Sequence, residues 1–110
     1  MIGGRQLNVE FLDGRKEKIL VRLLPLRLYP SLLKAIDNEE RQAELFCDRP
    51  EGWAAELNPV SHHEIMEAGE ELNSLPFFGW CGRRARRIQK LAPGKLEEMA
   101  LKAAKQVLAT

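Results

Sequence analysis

The chain has 110 residues and a mass of 12.5 kDa, the size of one small domain with a modest hydrophobic core. Hydrophobic residues make up 45% of it and charged residues 30%, and the formal net charge of +1 gives no bulk electrostatic attraction to nucleic acids or membranes. Charge is nevertheless segregated, because an acidic middle, residues 37–75, lies between two basic ends. We interpret the segregated charges as solvated helix faces that neutralise one another within the fold or between subunits.

The two cysteines, Cys47 and Cys81, lie far apart and outside the paired spacing of a zinc site or a disulfide framework. A reducing, cytoplasmic location is therefore expected. The N-terminus lacks the apolar core of a signal peptide, and no run reaches the roughly 18 apolar residues of a membrane span. We expect no membrane partner.

The first 24 residues are predicted to form a β-hairpin. Apolar residues at alternate positions mark its two strands: Leu7, Val9 and Phe11 in the first, and Ile19, Val21 and Leu23 in the second. Asp13-Gly14 between the two runs favours a tight turn. A two-stranded hairpin is marginal in water, so its apolar face must be covered by helices or extended by strands from another copy. Open strand edges favour self-association, and we therefore expect a homo-oligomer.

Short helical patterns follow the hairpin. A short helix is expected from Pro30, with the proline in its first turn. Asp37 with Glu40 could cap a second helix that carries Phe46 inward. Trp53 begins a further turn of helix or an irregular anchor.

The best specified helix is predicted to begin at Ser61, which forms a capping box with Glu64. We expect this helix to end near Asn73, because a proline break follows at Pro76. A separate helix is then predicted over about residues 77–91.

A last helix is predicted over about residues 95–108, after a break at Pro93-Gly94. Together the elements predict an α+β fold: an N-terminal β-hairpin, residues 1–24, packs on or is followed by a bundle of four to five helices, residues 25–110. No internal repeat or linker interrupts the chain, so residues 1–110 are expected to form a single domain.

Candidate catalytic residues are sparse. Ser61 is assigned as a helix cap, and no serine lies in a nucleophile elbow or a Ser/His/Asp pattern. His63 and Glu67, four residues apart, could hold a metal weakly, but a surface histidine beside glutamates is far more often solvated. We therefore expect no enzyme activity, no metal and no cofactor, and an enzyme or metal protein built around His63 is the least favoured alternative.

A row of cations on the predicted helix over residues 77–91 is the best indication of nucleic-acid binding. At about 100° per residue four of them share one arc, and we call them the basic row: Arg83, Arg86, Arg87 and Lys90. No helix-turn-helix, RNA-binding sheet motif or zinc finger frames the row, so a solvated or subunit-pairing face is the favoured interpretation. Arg84 differs, because it points into an apolar arc and should pair with a carboxylate or lie at an interface.

Aromatic and apolar residues near the C-terminus indicate surfaces for a protein partner. Phe77, Phe78 and Trp80 spread over too much of the helix circumference to face one core, so we expect Phe77 in the core and Phe78 or Trp80 exposed. On the last helix Leu101 and Leu108 extend the apolar stripe sideways and indicate a second contact surface. The candidate partner-binding residues are Phe78, Trp80, Arg84, Leu101 and Leu108.

The order of these features resembles the small tail assembly chaperones of long-tailed phages and prophages. The resemblance covers roughly residues 7–90 and is carried by the hairpin, the acidic helical middle, the run from Ser61 to Asn73, and the Phe77-Phe78 pair. Members of that family are α+β or mostly helical proteins without a cofactor. They bind the long, coiled tape measure protein during tail assembly, tend to self-associate and are absent from the finished tail.

The resemblance implies a non-enzymatic chaperone in the host cytoplasm that binds the tape measure protein or another tail protein. The alternative is a small nucleic-acid-binding or regulatory protein that uses the basic row. We favour the protein partner, because the chain as a whole is nearly neutral and carries no nucleic-acid-binding motif.

Overall fold

The computed structural model describes residues 3–91. Two strands, β1 (Gly4–Glu10) and β2 (Lys16–Arg22), are followed by three α-helices, α1 (Tyr29–Lys34), α2 (Glu39–Cys47) and α3 (Pro59–Leu91). Short 3-10 helices lie at Leu26–Leu28 and Trp53–Glu56. The predicted α+β fold with an N-terminal hairpin is confirmed.

The number of helices differs from the prediction. Within residues 3–91 the two predicted helices over 61–73 and 77–91 are one continuous helix, α3, of 33 residues with Pro76 inside it. The prediction of four to five helices is therefore wrong for this part of the chain. A proline inside a helix removes one backbone hydrogen bond and crowds the carbonyl four residues before it, yet the helix continues through Pro76, with Asn73 and Phe77 buried on either side. The helix predicted over 95–108 lies outside the described residues.

Contacts divide the chain into two compact units, Met1–Leu75 (the N-terminal unit) and Pro76–Thr110 (the C-terminal unit). The boundary falls inside α3, at the proline. The expectation of a single domain over residues 1–110 stays a prediction, and each unit is considered separately below.

The hairpin has the predicted turn, and most of the predicted inner face is buried, but Leu7 is half-buried and Leu23 is exposed. Leu7 pairs with Ile19 and Val9 with Glu17 in an antiparallel register. Gly14 has a φ of +89°, which favours glycine, and the Asp13 side chain accepts a hydrogen bond from the Arg15 amide at 2.9 Å. The apolar residues of the inner face are buried: Val9, Phe11, Ile19 and Val21. A helix of the same chain covers them, so the hairpin does not need a second copy to bury this face.

The first half of α3 is fixed to the hairpin at two points. The Ser61 hydroxyl accepts a hydrogen bond from the Glu10 amide at 2.9 Å, at the end of β1. Twelve residues along α3, about 18 Å of helix, the Asn73 side chain bonds the backbone at the end of β2. Between these points Ile65 and Ala68 are buried in the core of the N-terminal unit.

The start of α3 differs from the predicted capping box. The Asn58 side chain accepts a hydrogen bond from the Val60 amide at 2.9 Å, and the Asn58 carbonyl accepts one from the His62 amide. Asn58 is therefore the N-cap, and Pro59 occupies the first helical position, where its missing N–H costs nothing. The assignment of Ser61 as the cap is wrong, because the helix begins two residues earlier and Ser61 faces β1.

We expect Ser61→Ala to lower the free energy of unfolding by about 1–2 kcal/mol, because the half-buried Glu10 amide loses its acceptor. A thermal melt measures the loss, and amide hydrogen exchange locates it. The Glu10 amide should exchange faster in Ser61→Ala but not in Asn58→Ala, which removes the true cap at a cost of about 1 kcal/mol. Unchanged exchange at Glu10 in both variants would contradict the assignment.

Gly69 is required where α3 crosses α2. A Cβ atom at position 69 would overlap the ring of Phe46. The crossing explains why a glycine stands in the middle of a long helix, where it costs roughly 1 kcal/mol relative to alanine. The sequence pattern placed Gly69 on the apolar side of the helix but did not reveal its partner.

We expect Gly69→Ala to destabilise the protein by about 1–2 kcal/mol. The added methyl group overpacks the contact with Phe46, which costs about 1–3 kcal/mol, and this cost exceeds the gain in helix propensity. Gly82→Ala is the matched control in the same helix. Its Cβ would meet only the flexible end of Arg86 at 3.5 Å, so it should be neutral or stabilising. Chemical denaturation of both variants tests the pair, and equal stabilities would contradict the close crossing.

Candidate protein-binding surface on helix α3

The aromatic residues of the C-terminal unit form one cluster at the start of its part of α3. Phe77 is buried, and its ring stacks on Trp80 with centroids 5.9 Å apart and lies 6.2 Å from the ring of Phe78. Trp80 is half-buried, whereas 67% of Phe78 is exposed. Phe78 is the one exposed aromatic residue within residues 3–91, although aliphatic side chains such as Leu75 and Leu91 are exposed as well. It is therefore a candidate contact residue.

The basic row lies on the same helix, beside Phe78. At about 100° per residue its four members span about 100° of the circumference, and the nearest of them, Arg86, is about 80° from Phe78. The four side chains line one shallow groove: Arg83, Arg86, Arg87 and Lys90. No carboxylate of residues 3–91 forms an ion pair with any of them.

Two glycines lie under the arginines. The Arg83 guanidinium would be 3.3 Å from a Cβ atom placed on Gly79, and that of Arg86 would be 3.5 Å from one placed on Gly82. Each arginine therefore lies back along the helix over the glycine four residues before it. The cations stay close to the helix instead of extending into solvent.

The five candidate partner-binding residues differ in where they lie and what they contact. It brings Phe78 and Trp80 together around Phe77. Arg84 is half-buried, about 120° around the helix from Phe78, and makes no ion pair with residues 3–91, so the expected carboxylate partner is not found there. Leu101 and Leu108 lie outside the described residues, and the second contact surface stays a prediction.

The alternative metal site has little geometric support. His63 and Glu67 lie 3.4 Å apart, and both side chains are more than two-thirds exposed. No group of three metal-ligating side chains comes together within residues 3–91. An exposed pair with one histidine is a surface ion pair at most.

Cys47 is unsuited to nucleophilic chemistry. Burial raises the pKa of its thiol from 9.0 to about 12, although the neighbouring Arg49 and Arg22 act in the opposite direction. The thiol is therefore protonated at neutral pH, and only a thiolate is a good nucleophile. Below pH 9 the thiol is protonated in both the folded and the unfolded protein, so it does not affect stability. As the pH rises from 9 towards 12 the thiol ionises in the unfolded chain first, and the folded state loses stability.

Two buried polar side chains that the sequence analysis missed hold the N-terminal unit together. Only 2% of Glu44 is exposed, and its carboxylate accepts hydrogen bonds from the amides of Gly52 at 2.8 Å and Ala54 at 2.9 Å. Asn73 is equally buried, accepts a hydrogen bond from the Leu24 amide just after β2, and donates to the Gly69 carbonyl of its own helix. Glu44 resembles an ordinary surface glutamate in sequence, and Asn73 resembles a helix end, so no local pattern identifies either.

No helix within residues 3–91 combines the length and the apolar character that crossing a bilayer requires. Comparisons of the whole chain with protein-family models, with curated proteins and with solved structures found no match.

Proposed function

We propose that this chain is a non-enzymatic binding protein, a tail assembly chaperone of a long-tailed phage or prophage, which holds the helical tape measure protein in the host cytoplasm during tail assembly. The resemblance of residues 7–90 to that family supports the proposal. The observation that carries it is the exposed Phe78, next to the Phe77–Trp80 stack. A ring presented by a rigid helix is suited to an apolar groove or helix face of a partner.

The expected contribution of Phe78 is large for one residue. A phenylalanine buries about 150–250 Å² in a protein interior, and apolar burial contributes roughly 25 cal/mol per Å². Covering the exposed two-thirds of its ring therefore supplies about 2–4 kcal/mol. That is the range of an interface hot spot, in which aromatic residues are enriched.

We expect Phe78→Ala to weaken binding to tape measure fragments by about 30- to 700-fold at unchanged fold. Leu12→Ala is the matched control, because Leu12 is 63% exposed at the hairpin turn of the other unit and should not matter. Isothermal titration with helical fragments of a tape measure protein measures both variants. Because apolar burial is not screened, binding should survive moderate salt.

Two outcomes would contradict the chaperone proposal. One is the absence of binding to any tape measure fragment by a folded, wild-type chain. The other is sequence-independent nucleic-acid binding at physiological salt that is lost only when the basic row is neutralised, with no peptide binding in any variant.

The second candidate function, a nucleic-acid-binding or regulatory protein, is favoured by one observation. Among the residues that the structure describes, those lining the groove on the C-terminal unit are all cations. Phosphate binding there would release counterions, so affinity would fall steeply with salt. The slope of log affinity against log salt concentration would become shallower by about one for each cation removed. Fluorescence anisotropy with duplex and single-stranded DNA at two salt concentrations tests it.

We further propose that the protein is a homo-oligomer, through the free edge of β1. The last residue of β1 is covered, since the Asn58 amide donates to the Glu10 carbonyl at 2.9 Å. In the antiparallel register, the backbone groups of Gly4, Gln6 and Asn8 face away from β2 and have no partner within residues 3–91. Light scattering that shows a monomer at all protein and salt concentrations would contradict this proposal.

A further inference from the structure

The basic row differs only in degree from the N-terminal unit, where five of the nine cations also form no ion pair within residues 3–91. There, four arginines form ion pairs: Arg5 with Glu71, Arg22 with Asp48, Arg41 with Glu44, and Arg49 with Glu17. In the basic row no cation pairs with a carboxylate of residues 3–91. Four positive charges that form no ion pair within residues 3–91, on about two turns of helix, are a local feature that the near-neutral composition conceals.

The arrangement is unfavourable for the helix itself. Arg83 and Arg87, and Arg86 and Lys90, are like charges four residues apart, and two further pairs are three residues apart. Each such pair destabilises an isolated helix. Gly79 and Gly82, over which two of the arginines lie, are poor helix formers as well. Compensation from an anionic partner would account for a segment built in this way.

We propose that the basic row binds the carboxylates along the flank of an acidic amphipathic helix, whose apolar face covers Phe78. This inference rests on the proposed chaperone function and specifies the client segment: a helix with an apolar stripe and a neighbouring row of Asp or Glu. The row gives orientation and selectivity, and Phe78 gives most of the affinity.

The geometry favours a helix over a nucleic acid. The row extends over eight residues, about 10 Å from first to last, which matches two turns of a partner helix with acidic residues at i, i+4 and i+7. Helices that pack side by side lie about 8–10 Å apart, a distance that arginine side chains lying close to their own helix can bridge at the rim of the contact. The exposed ring of Phe78 lies about 80° around the helix and about 12 Å along it from Arg86, and its burial requires an apolar counterpart, which a phosphate backbone does not supply.

Three synthetic helical peptides of about 20 residues, long enough to fold in part on their own, test the inference with the full-length chain. All share one leucine stripe, and the flanking positions are Glu in the first, Gln in the second and Lys in the third. At low salt the Glu peptide should bind about tenfold more tightly than the Gln peptide, and the difference should shrink at high salt. The Lys peptide should bind most weakly.

A variant with the four cations of the basic row changed to Gln should bind the Glu and Gln peptides equally. Its matched control loses the same net charge on the N-terminal unit, at Lys16, Lys18, Arg27 and Lys34, and should keep the preference. The double variant Arg86→Glu with Lys90→Glu should instead favour the Lys peptide. Circular dichroism and thermal melts confirm that each variant is folded.

The outcomes separate the inference from the function on which it rests. If the Glu and Gln peptides bind equally well, and both depend on Phe78, the acidic-flank inference is overturned while the chaperone proposal stands. If a folded wild-type chain binds no peptide and no tape measure fragment, both are overturned. Tight, salt-sensitive binding of DNA with no preference among the peptides would assign the row to nucleic acid and overturn the inference.

Discussion

Replacing Val9 by aspartate is expected to unfold the N-terminal unit. Val9 is fully buried on the inner face of the hairpin, where the carboxylate would find no water. It also pairs directly with Glu17 in the register of β1 and β2, so a second negative charge would be placed opposite the first. Burying an unpaired charge ranks among the most destabilising single changes, at about 4 kcal/mol or more, which is a large part of the 5–15 kcal/mol that holds a typical domain.

The matched control is the neighbouring Asn8→Asp. Asn8 lies on the opposite, exposed face of β1, across from Lys18, so the same charge there should change stability by less than about 0.5 kcal/mol. Far-UV circular dichroism and thermal melts of both variants decide the matter. A cooperative melt of Val9→Asp at the wild-type temperature would mean that the hairpin faces the other way.

Asn73→Leu is expected to cost about 2–4 kcal/mol, the second largest effect. The side-chain oxygen of Asn73 accepts a hydrogen bond from the buried Leu24 backbone amide at 2.7 Å. Its side-chain nitrogen donates to the backbone carbonyls of Arg22 at 3.0 Å and Gly69 at 2.9 Å. Leucine has a similar volume but leaves the Leu24 amide and the Arg22 carbonyl without this partner, whereas the Gly69 carbonyl keeps the backbone hydrogen bond of the helix. Each buried orphan costs about 1–3 kcal/mol before relaxation.

Ser74→Ala provides the control for Asn73→Leu. Ser74 follows in the same helix, but its hydroxyl only donates to the carbonyl of Glu70 in its own helix, at an exposed site, so its removal should be nearly neutral. Amide exchange adds a local measurement, because the Leu24 amide should lose its protection in Asn73→Leu alone. Full protection of Leu24 in that variant would show that the hydrogen bond is not formed in solution.

The hairpin could be predicted from sequence because its determinants are local. The alternation of Leu7, Val9 and Phe11, and the turn at Asp13-Gly14, each depend on residues a few positions apart. The continuity of α3 could not be predicted from sequence. Pro76 favours a helix end locally, but tertiary packing overrides that tendency. The same holds for Ser61, whose capping-box pattern is satisfied in sequence while its hydroxyl bonds a strand 51 residues away.

The candidate surface was predicted only in part. Helical spacing placed the basic row on one arc, and in the structure its four side chains line a single groove. The same spacing did not decide which aromatic ring is exposed, because a ring's exposure depends on what packs against it; the structure selects Phe78. The unpaired state of the cations within residues 3–91 is likewise a property of the fold and not of the pattern.

The long-range attachment of the hairpin to α3 has a consequence for synthesis on the ribosome. The two hydrogen bonds that fix the strands to Ser61 and Asn73 join residues 51 and 49 positions apart in the chain. A two-stranded hairpin is barely stable alone, so β1 and β2 must wait, with their apolar residues uncovered, until the first half of α3 has emerged. At about 5–20 residues per second that interval lasts several seconds. The hairpin is therefore made well before the helix that protects it, and its exposed apolar face makes it dependent on rapid synthesis of that helix or on help from cellular chaperones.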